Sequence, residues 1–450
     1  MNQKQGKGKF GVSNLGRRPA SHGPAQRRTS KIGACCRVGV APAGWSAVTF
    51  AAPSAPAVRR SFAFKLTLLT LLWLVLAIAC EQVAPAAFWP VVFGALTTPV
   101  ALGCTALLAL YWLRRRWQVA LLPMLALGLT WPHVQRGLAL HYASFTEKSA
   151  AKSEALGDGK TIRSSFFLPS PTDVLLLSAN VRIFNVYAQL RDPRFVSTKG
   201  MVHWLADSPA DVLCLQEYYN EPQDSKEDGH VFRTEEALGR ASGRHSFVST
   251  TLTNRIGAEF GMAIFSRFVI VRRGVIAFGK LTQNHAMWAD LARPAARTGT
   301  GRPDTIRVFN IHLQSMSMAE SDIAQATESR AGLRQKAPSL LRRFRNGAVA
   351  RGTQADTVLA QVRRSPYPVL LAGDLNDLPY SYAYDQLTDH LQNAWASTGL
   401  GIGSTYHGRL PLLRIDQQFA SARWQVLGCR VHREIPWSDH FPVEGLYQLK

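Results

Sequence analysis

The 450-residue chain is 46% hydrophobic and carries a formal charge of +22, enough apolar material for more than one folded unit. The charge is uneven: residues 1–60 hold eleven Lys/Arg and no Asp or Glu, whereas residues 151–450 hold 35 Lys/Arg against 28 Asp/Glu. Most of the chain is therefore only mildly basic and does not by itself demand a nucleic-acid partner. No pair among its six cysteines has the spacing of a zinc ribbon or a redox motif.

Residues 1–60 are rich in Gly, Ser, Pro, Ala and Arg without an apolar period, and are expected to be a disordered basic tail. Residues 61–135 read as a membrane region with two or three transmembrane helices. The apolar segments 62–80 and 87–113 each reach the ~20 residues that cross a bilayer. A third segment, 119–131, contains Pro123 and reads as a short span, a re-entrant piece or an interfacial helix. Arg59, Arg60 and Arg114-Arg115-Arg116 then place the tail and the triple arginine in the cytoplasm. If the third segment spans, the rest of the chain is extracytoplasmic (periplasmic in a bacterium), which is the expected placement; if not, it is cytoplasmic. Residues 136–169 are expected to form a polar linker, and residues 170–450 a globular domain.

Within that domain, strands are expected over 173–181, 211–217, 260–266, 304–313, 367–374, 412–420 and 441–449. Helices are expected around 197–207, 318–345 and 381–388. Continuous apolar runs such as Val369-Leu370-Leu371 indicate strands buried on both faces, and their alternation with helices indicates sheets covered by helices.

The stretch AGDLNDLP, 372–379, follows one such run. Asp, Asn, Gly and Pro are ordinary turn formers, so alone it is ambiguous. The same pattern recurs, however. Asn180, Gln216-Glu217, Asn310 and His312, Asp374 and Asn376, Arg414 and Asp416, and Asp439-His440 all stand beside apolar runs. A buried carboxylate is costly unless it is paired or holds a metal, and six such endings point to one polar cluster.

Together, Asn180, LQE at 215–217, NIHL at 310–313, GDLN at 373–376, RID at 414–416 and SDHFPV at 438–443 resemble the successive signatures of the endonuclease/exonuclease/phosphatase superfamily, which includes deoxyribonucleases, neutral sphingomyelinases and inositol-phosphate 5-phosphatases. The apolar N-terminus, Asn376-Asp377-Leu378-Pro379 and GSTYHG at 403–408 resemble a membrane-anchored bacterial branch. The resemblance implies a four-layer α/β sandwich, two packed sheets flanked by helices, and Mg²⁺- or Mn²⁺-dependent hydrolysis of a phosphate ester, nucleic acid or lipid phosphodiester.

It also implies roles. Glu217 is the principal metal ligand, with Asn180 and Asp439 beside it, oxygen donors that suit a hard cation. Asp374 orients and deprotonates water. Asn376, placed by its spacing on the same strand face as Asp374, donates to a phosphate oxygen. His440 and His312 contact phosphate, and Asp416 hydrogen-bonds His440; an alternative makes His440 the base. Asp377 is expected to shape a turn, and Ser404, Thr405 and Tyr406 to line the mouth, with Trp288, Asp290 and Trp437 in the cleft. Arg342, Arg343 and Arg345 read as a phosphate patch or a solvated helix face. The competing function is a non-catalytic membrane receptor or scaffold on the same fold. No obligate protein partner is legible.

Overall fold

The computed structural model describes residues 62–141, 152–155, 161–167, 169–187, 190, 192–222, 231–279, 284–315, 330–408 and 412–450. The basic tail and nearly half of the linker lie outside them. All the described residues belong to one compact unit, Ala57–Lys450.

Five helices come first: α1 (Phe62–Glu81), α2 (Val91–Leu96), α3 (Thr98–Arg115), α4 (Trp117–Leu129) and α5 (Trp131–Gly137). Among the described residues α1 alone is long and apolar enough to cross a membrane by itself. The segment 87–113 is not the single helix expected from its hydropathy. It breaks at Thr97, because Pro99 lies in the first turn of α3 and lacks an N–H. The break is held by the Thr97 hydroxyl, which accepts from Trp73 Nε1 at 2.9 Å and donates to Gly94 O at 2.7 Å.

The strands are β1 (Ala139–Leu140), β2 (Lys152–Ala155), β3 (Thr161–Ser165), β4 (Val174–Asn180), β5 (Val212–Asn220), β6 (His245–Thr253), β7 (Glu259–Ser266), β8 (Val269–Ala277), β9 (His285–Arg293), β10 (Asp304–His312), β11 (Val369–Asp374), β12 (Gln392–Asn393), β13 (Leu400–Gly401), β14 (Asp416–Ala420), β15 (Trp424–Val431) and β16 (Val443–Leu449). Four of them pair as β1-β13 and β2-β3, and the other twelve build two six-stranded mixed sheets, ordered β15-β16-β4-β5-β7-β6 and β12-β14-β11-β10-β9-β8. Each sheet has one parallel pair at its centre, β4 with β5 and β10 with β11, and antiparallel neighbours outside it.

Period-two alternation sorts the side chains into layers. Val174, Leu176, Val212, Cys214, Ile306, Val308, Leu370 and Ala372 fill the space between the sheets. Their neighbours Leu175, Leu177, Leu213 and Leu215 face the helix Val196–Asp207 through Met201, Trp204 and Leu205. On the other side Phe309, Ile311 and Leu371 face Ala355, Val358 and Leu359 of the helix Arg330–Arg363. Two mixed sheets are thus flanked by helices. The seven expected strands are present, shifted by up to four residues; Leu412–Ile415 precedes β14 as a loop, with Leu412 at φ +68.

Candidate active site

Following the inner face along each central strand explains where the polar cluster comes from. On β10 the inward positions read Ile306, Val308, Asn310, His312; on β11 they read Leu370, Ala372, Asp374. On β4 and β5 they end in Ser178, Asn180 and Gln216. Apolar residues occupy the lower part of the intersheet space and polar ones its end, where both parallel pairs finish. Antiparallel β14 starts there with Asp416, in register with Asp374.

Local backbone features turn these groups toward each other. β5 carries an irregularity between Leu215 and Tyr218, and Glu217 sits there at φ +49. Gly373, at φ +143, precedes Asp374; a Cβ on it would lie 1.9 Å from Ile311 O, so only glycine fits between these parallel strands. Asp374 Oδ1 accepts the Asn376 N–H at 2.7 Å, curling the chain, and Asn376 adopts φ +50. Asn376 therefore lies beyond the end of β11, not on one strand face with Asp374 as its spacing suggested. Its Nδ2 donates to Leu313 O at 3.0 Å.

Asn180 Nδ2 lies 3.1 Å from Glu217 Oε1 and 3.2 Å from Asp374 Oδ2. His440 Nδ1 lies 2.9 Å from Asp416 Oδ2 and 3.9 Å from Asp374 Oδ2. His312 Nε2 is 3.8 Å from Asp374 Oδ2. Asp374, Asp416 and His440 are close enough to share one small ligand. Asp439 stands at the edge, paired with Arg182 Nε at 3.2 Å, beside a cavity of about 320 Å³ lined by Arg182, Asn185, His407 and Trp437.

The electrostatics follow from burial and proximity. Burial and the Asp416 charge push Asp374 up to about 6, against the pull of His440 and His312. Burial alone would neutralise His440, but Asp416 and Asp374 outweigh it and hold the imidazolium well above its usual range. Burial lowers His312 and raises Glu217, whose hydrogen bond from Asn180 only partly offsets its desolvation. Glu217 is a buried oxygen donor of the kind a hard divalent cation takes; Asn180 turns Nδ2 toward it and its Oδ1 accepts the Arg182 N–H at 3.1 Å, so this amide must flip to present oxygen to an ion.

Several expectations are placed elsewhere. Trp288 and Asp290 lie on the outer face of the second sheet, away from the cleft. Asp290 is fully buried and accepts from Arg307 Nε at 2.6 Å and Nη2 at 2.8 Å, and the same guanidinium stacks on Trp288. Asp377 accepts from Arg351 Nε at 2.8 Å, which ties the loop after β11 to that after β10 through Gln314 O. Thr405 Oγ1 accepts the N–H groups of Ile415 and Asp416, both at 3.1 Å, and Tyr406 pairs with His440. Arg342, Arg343 and Arg345 are exposed on their helix.

The sequence places Asn310 in the polar cluster but gives it no role; in the structure it forms the floor of the site. Fully buried Asn310 accepts from Gln216 Nε2 at 2.7 Å and donates to Leu215 O at 3.0 Å and Ala263 O at 2.9 Å, joining the two sheets beneath Glu217. An amide two residues before His312 on the same face was the available signal. For Arg351, 23 residues before Asp374 in sequence, there was none.

The family model described as Endonuclease/Exonuclease/phosphatase family matches residues 178–440, and a domain of unknown function (DUF8431) matches residues 59–137. No curated protein matches. Similar solved structures include an endonuclease/exonuclease/phosphatase from Beutenbergia cavernae (21% identity, 62% of this chain, 72% of that chain, TM-score 0.42). The human Nocturnin catalytic domain with bound sulfate (16%, 63% and 97%, 0.43) and a mannosyl-6-phosphatase from Bacteroides thetaiotaomicron (15%, 61% and 99%, 0.39) are similar as well. With more than half of its length matched, and with the ends of both parallel pairs converging as described, the chain belongs to the endonuclease/exonuclease/phosphatase family of phosphoric ester hydrolases.

Proposed function

We propose that the protein is a membrane-anchored, divalent-metal-dependent phosphoesterase. The carrying observation is the convergence of Asn180, Glu217, His312, Asp374, Asp416 and His440 from both sheets into one buried cluster. Glu217, with Asn180 and Asp439, would hold Mg²⁺ or Mn²⁺. When bound, the ion supplies neutralisation of charge developing on the phosphate and the leaving oxygen.

The protein groups do the rest. Asp374, raised toward neutrality, accepts a proton from water as the water oxygen bonds to phosphorus and the ester oxygen departs. Its position between two histidines and Asn180 orients that water. His440, kept cationic by Asp416 and Asp374, donates to a phosphate oxygen, which favours Asp374 over His440 as the base. Asn376 uses one amide hydrogen on Leu313 O and has the second for phosphate. His312, largely neutral by burial, offers a further donor.

Helix ends support an extracytoplasmic catalytic domain. Glu81 at the end of α1 accepts from Thr98 at the start of α3 (2.7 Å) and from Arg136 in α5 (2.9 Å), and Arg136 Nη2 reaches Asp385 of the catalytic part at 2.7 Å. These ends meet beside the catalytic domain. Phe62 and Arg114-Arg115-Arg116 lie at the opposite ends of α1 and α3, the side that arginine bias assigns to the cytoplasm.

The full chain in nanodiscs should hydrolyse bis(p-nitrophenyl) phosphate with Mg²⁺ or Mn²⁺, and lose turnover with EDTA or in Asp374→Ala. Metal-independent turnover in Asp374→Ala would sink the proposal. A reporter fused after residue 140 should be silent if it needs the cytoplasm; a cytoplasmic signal would overturn the topology.

A further inference from the structure

Between the apolar helices and the catalytic loops lies a cavity of about 700 Å³, a volume that suits a ligand of considerable size. One wall comes from α3 and α4, through Leu102, Gly103, Ala106 and Leu127. The facing wall is Leu378 and Pro379, just after the Asp374–Asp377 loop, together with Leu413 and Arg414, which lead directly into Asp416. Its lining is overwhelmingly apolar. A site of this kind, joining the membrane region to the catalytic strand ends, has no role in the chemistry described above.

We propose that this cavity receives the acyl chain of an amphiphilic phosphodiester drawn from the bilayer leaflet next to the catalytic domain, so that the substrate class is a membrane lipid phosphoester. The inference rests on the membrane-anchored phosphoesterase proposed above.

Three observations select this occupant. The cavity runs from Pro99, at the end of α3 beside the catalytic domain, to Ala106. Seven residues at 1.5 Å each carry it about 10 Å along the helix, into the depth of one leaflet's hydrocarbon. Secondly, α3 and α4 expose Leu107, Leu110, Leu121 and Leu125, none of which lines the cavity, so the walls stand within the same apolar layer a lipid tail occupies. Thirdly, the end nearest the catalytic strands carries an unneutralised cation. Arg414 is 3% exposed; it donates to Arg136 O, while its Nε and Nη1 have no hydrogen-bond partner. No described carboxylate pairs with it. A tail in the apolar part brings an anionic head toward that charge, and Arg414 is two residues, at most about 7 Å of chain, from Asp416.

The test uses the full chain in nanodiscs and p-nitrophenyl n-alkyl phosphates from methyl to dodecyl. KM should fall about fourfold for each methylene that enters the cavity, then level off, with kcat unchanged. Gly103→Leu projects from the cavity wall, where a Cβ meets nothing within 4 Å; Ala106→Phe fills the space from the next turn. Either should raise KM for the dodecyl ester at least about tenfold while leaving kcat/KM for the methyl ester within about twofold. Leu110→Phe, on an exposed position, should change neither. Equal KM for short and long esters in the native chain, or a length dependence that survives both filling variants, would overturn the proposal. Should no ester be hydrolysed, the phosphoesterase proposal fails, and the cavity is judged by calorimetry with dodecyl phosphate on Asp374→Ala. Saturable binding of one molecule, lost on adding Gly103→Leu, supports it; no binding overturns it.

Discussion

Asn310→Leu tests whether the buried amide between the sheets sets the site. Leucine keeps the branching and the number of side-chain heavy atoms, so the change chiefly removes hydrogen bonds. Asn310 accepts from Gln216 Nε2 at 2.7 Å and donates to Leu215 O at 3.0 Å and Ala263 O at 2.9 Å. Gln216 Nε2 keeps Ser178 Oγ at 3.2 Å and Cys214 O at 3.1 Å, so its loss is small. The two buried carbonyls lose the amide donor. Each unsatisfied buried group costs about 1–3 kcal/mol, giving roughly 2–5 kcal/mol after partial relaxation. For a domain of this size that lowers Tm by roughly 5–15 °C. Because Glu217 follows Gln216 in the irregular part of β5, turnover should fall roughly 100-fold if the carboxylate moves by an ångström. Tryptophan-fluorescence melting of the full chain in detergent, with turnover on the same sample, reads both. A Tm within about 2 °C of the native chain with full turnover would refute the role given to Asn310.

Three further changes probe other parts of the fold. His432 is fully buried between Phe166 and Trp204; burial disfavours its charge, but hydrogen bonds to Glu434 and Glu444 outweigh this and hold it at about 9. Its folded value is above the unfolded ~6.5, so its stabilisation, on the order of 3 kcal/mol, is complete below pH ~6.5 and is lost as pH rises through about 9; a melting series from pH 6 to 9.5 should show that fall, which His432→Gln should flatten. Arg351→Met strands Asp377 and should destabilise by about 3 kcal/mol, with partial recovery when Asp377→Leu is added; melting of both variants decides, and no recovery would count against a direct pair. Gly373→Ala forces a Cβ to within 1.9 Å of Ile311 O and should yield no monodisperse chain on gel filtration.

Much of this was legible because the central strands announce themselves. β4, β5, β10 and β11 are buried on both faces, so their apolar runs are continuous and the polar residues that end them stand out. In the two large sheets four long strands and the two-residue β12 escaped, as did the short pairs β1-β13 and β2-β3. β6, β8 and β15 are at or near sheet edges, where exposed polar residues interrupt the pattern. β9 is interior but contains Asp290 and Arg293, which Arg307 and Asp304 neutralise across the ladder with β10; no sequence pattern shows that pairing. The site residues were readable as types at strand ends. Their backbone was not: the spacing of Asp374 and Asn376 suggests one strand face, but the Asp374 carboxylate curls the chain between them.

The most direct test of the central claim is Mn²⁺ binding by electron paramagnetic resonance on the full chain in nanodiscs, titrated alongside turnover of bis(p-nitrophenyl) phosphate. Turnover should rise with the same saturation as Mn²⁺ occupancy, and Glu217→Gln should weaken both together by at least about tenfold. Turnover that is full before any Mn²⁺ binds, or a Glu217→Gln chain that binds Mn²⁺ and turns over like the native one, would contradict the metal-dependent site described at these strand ends.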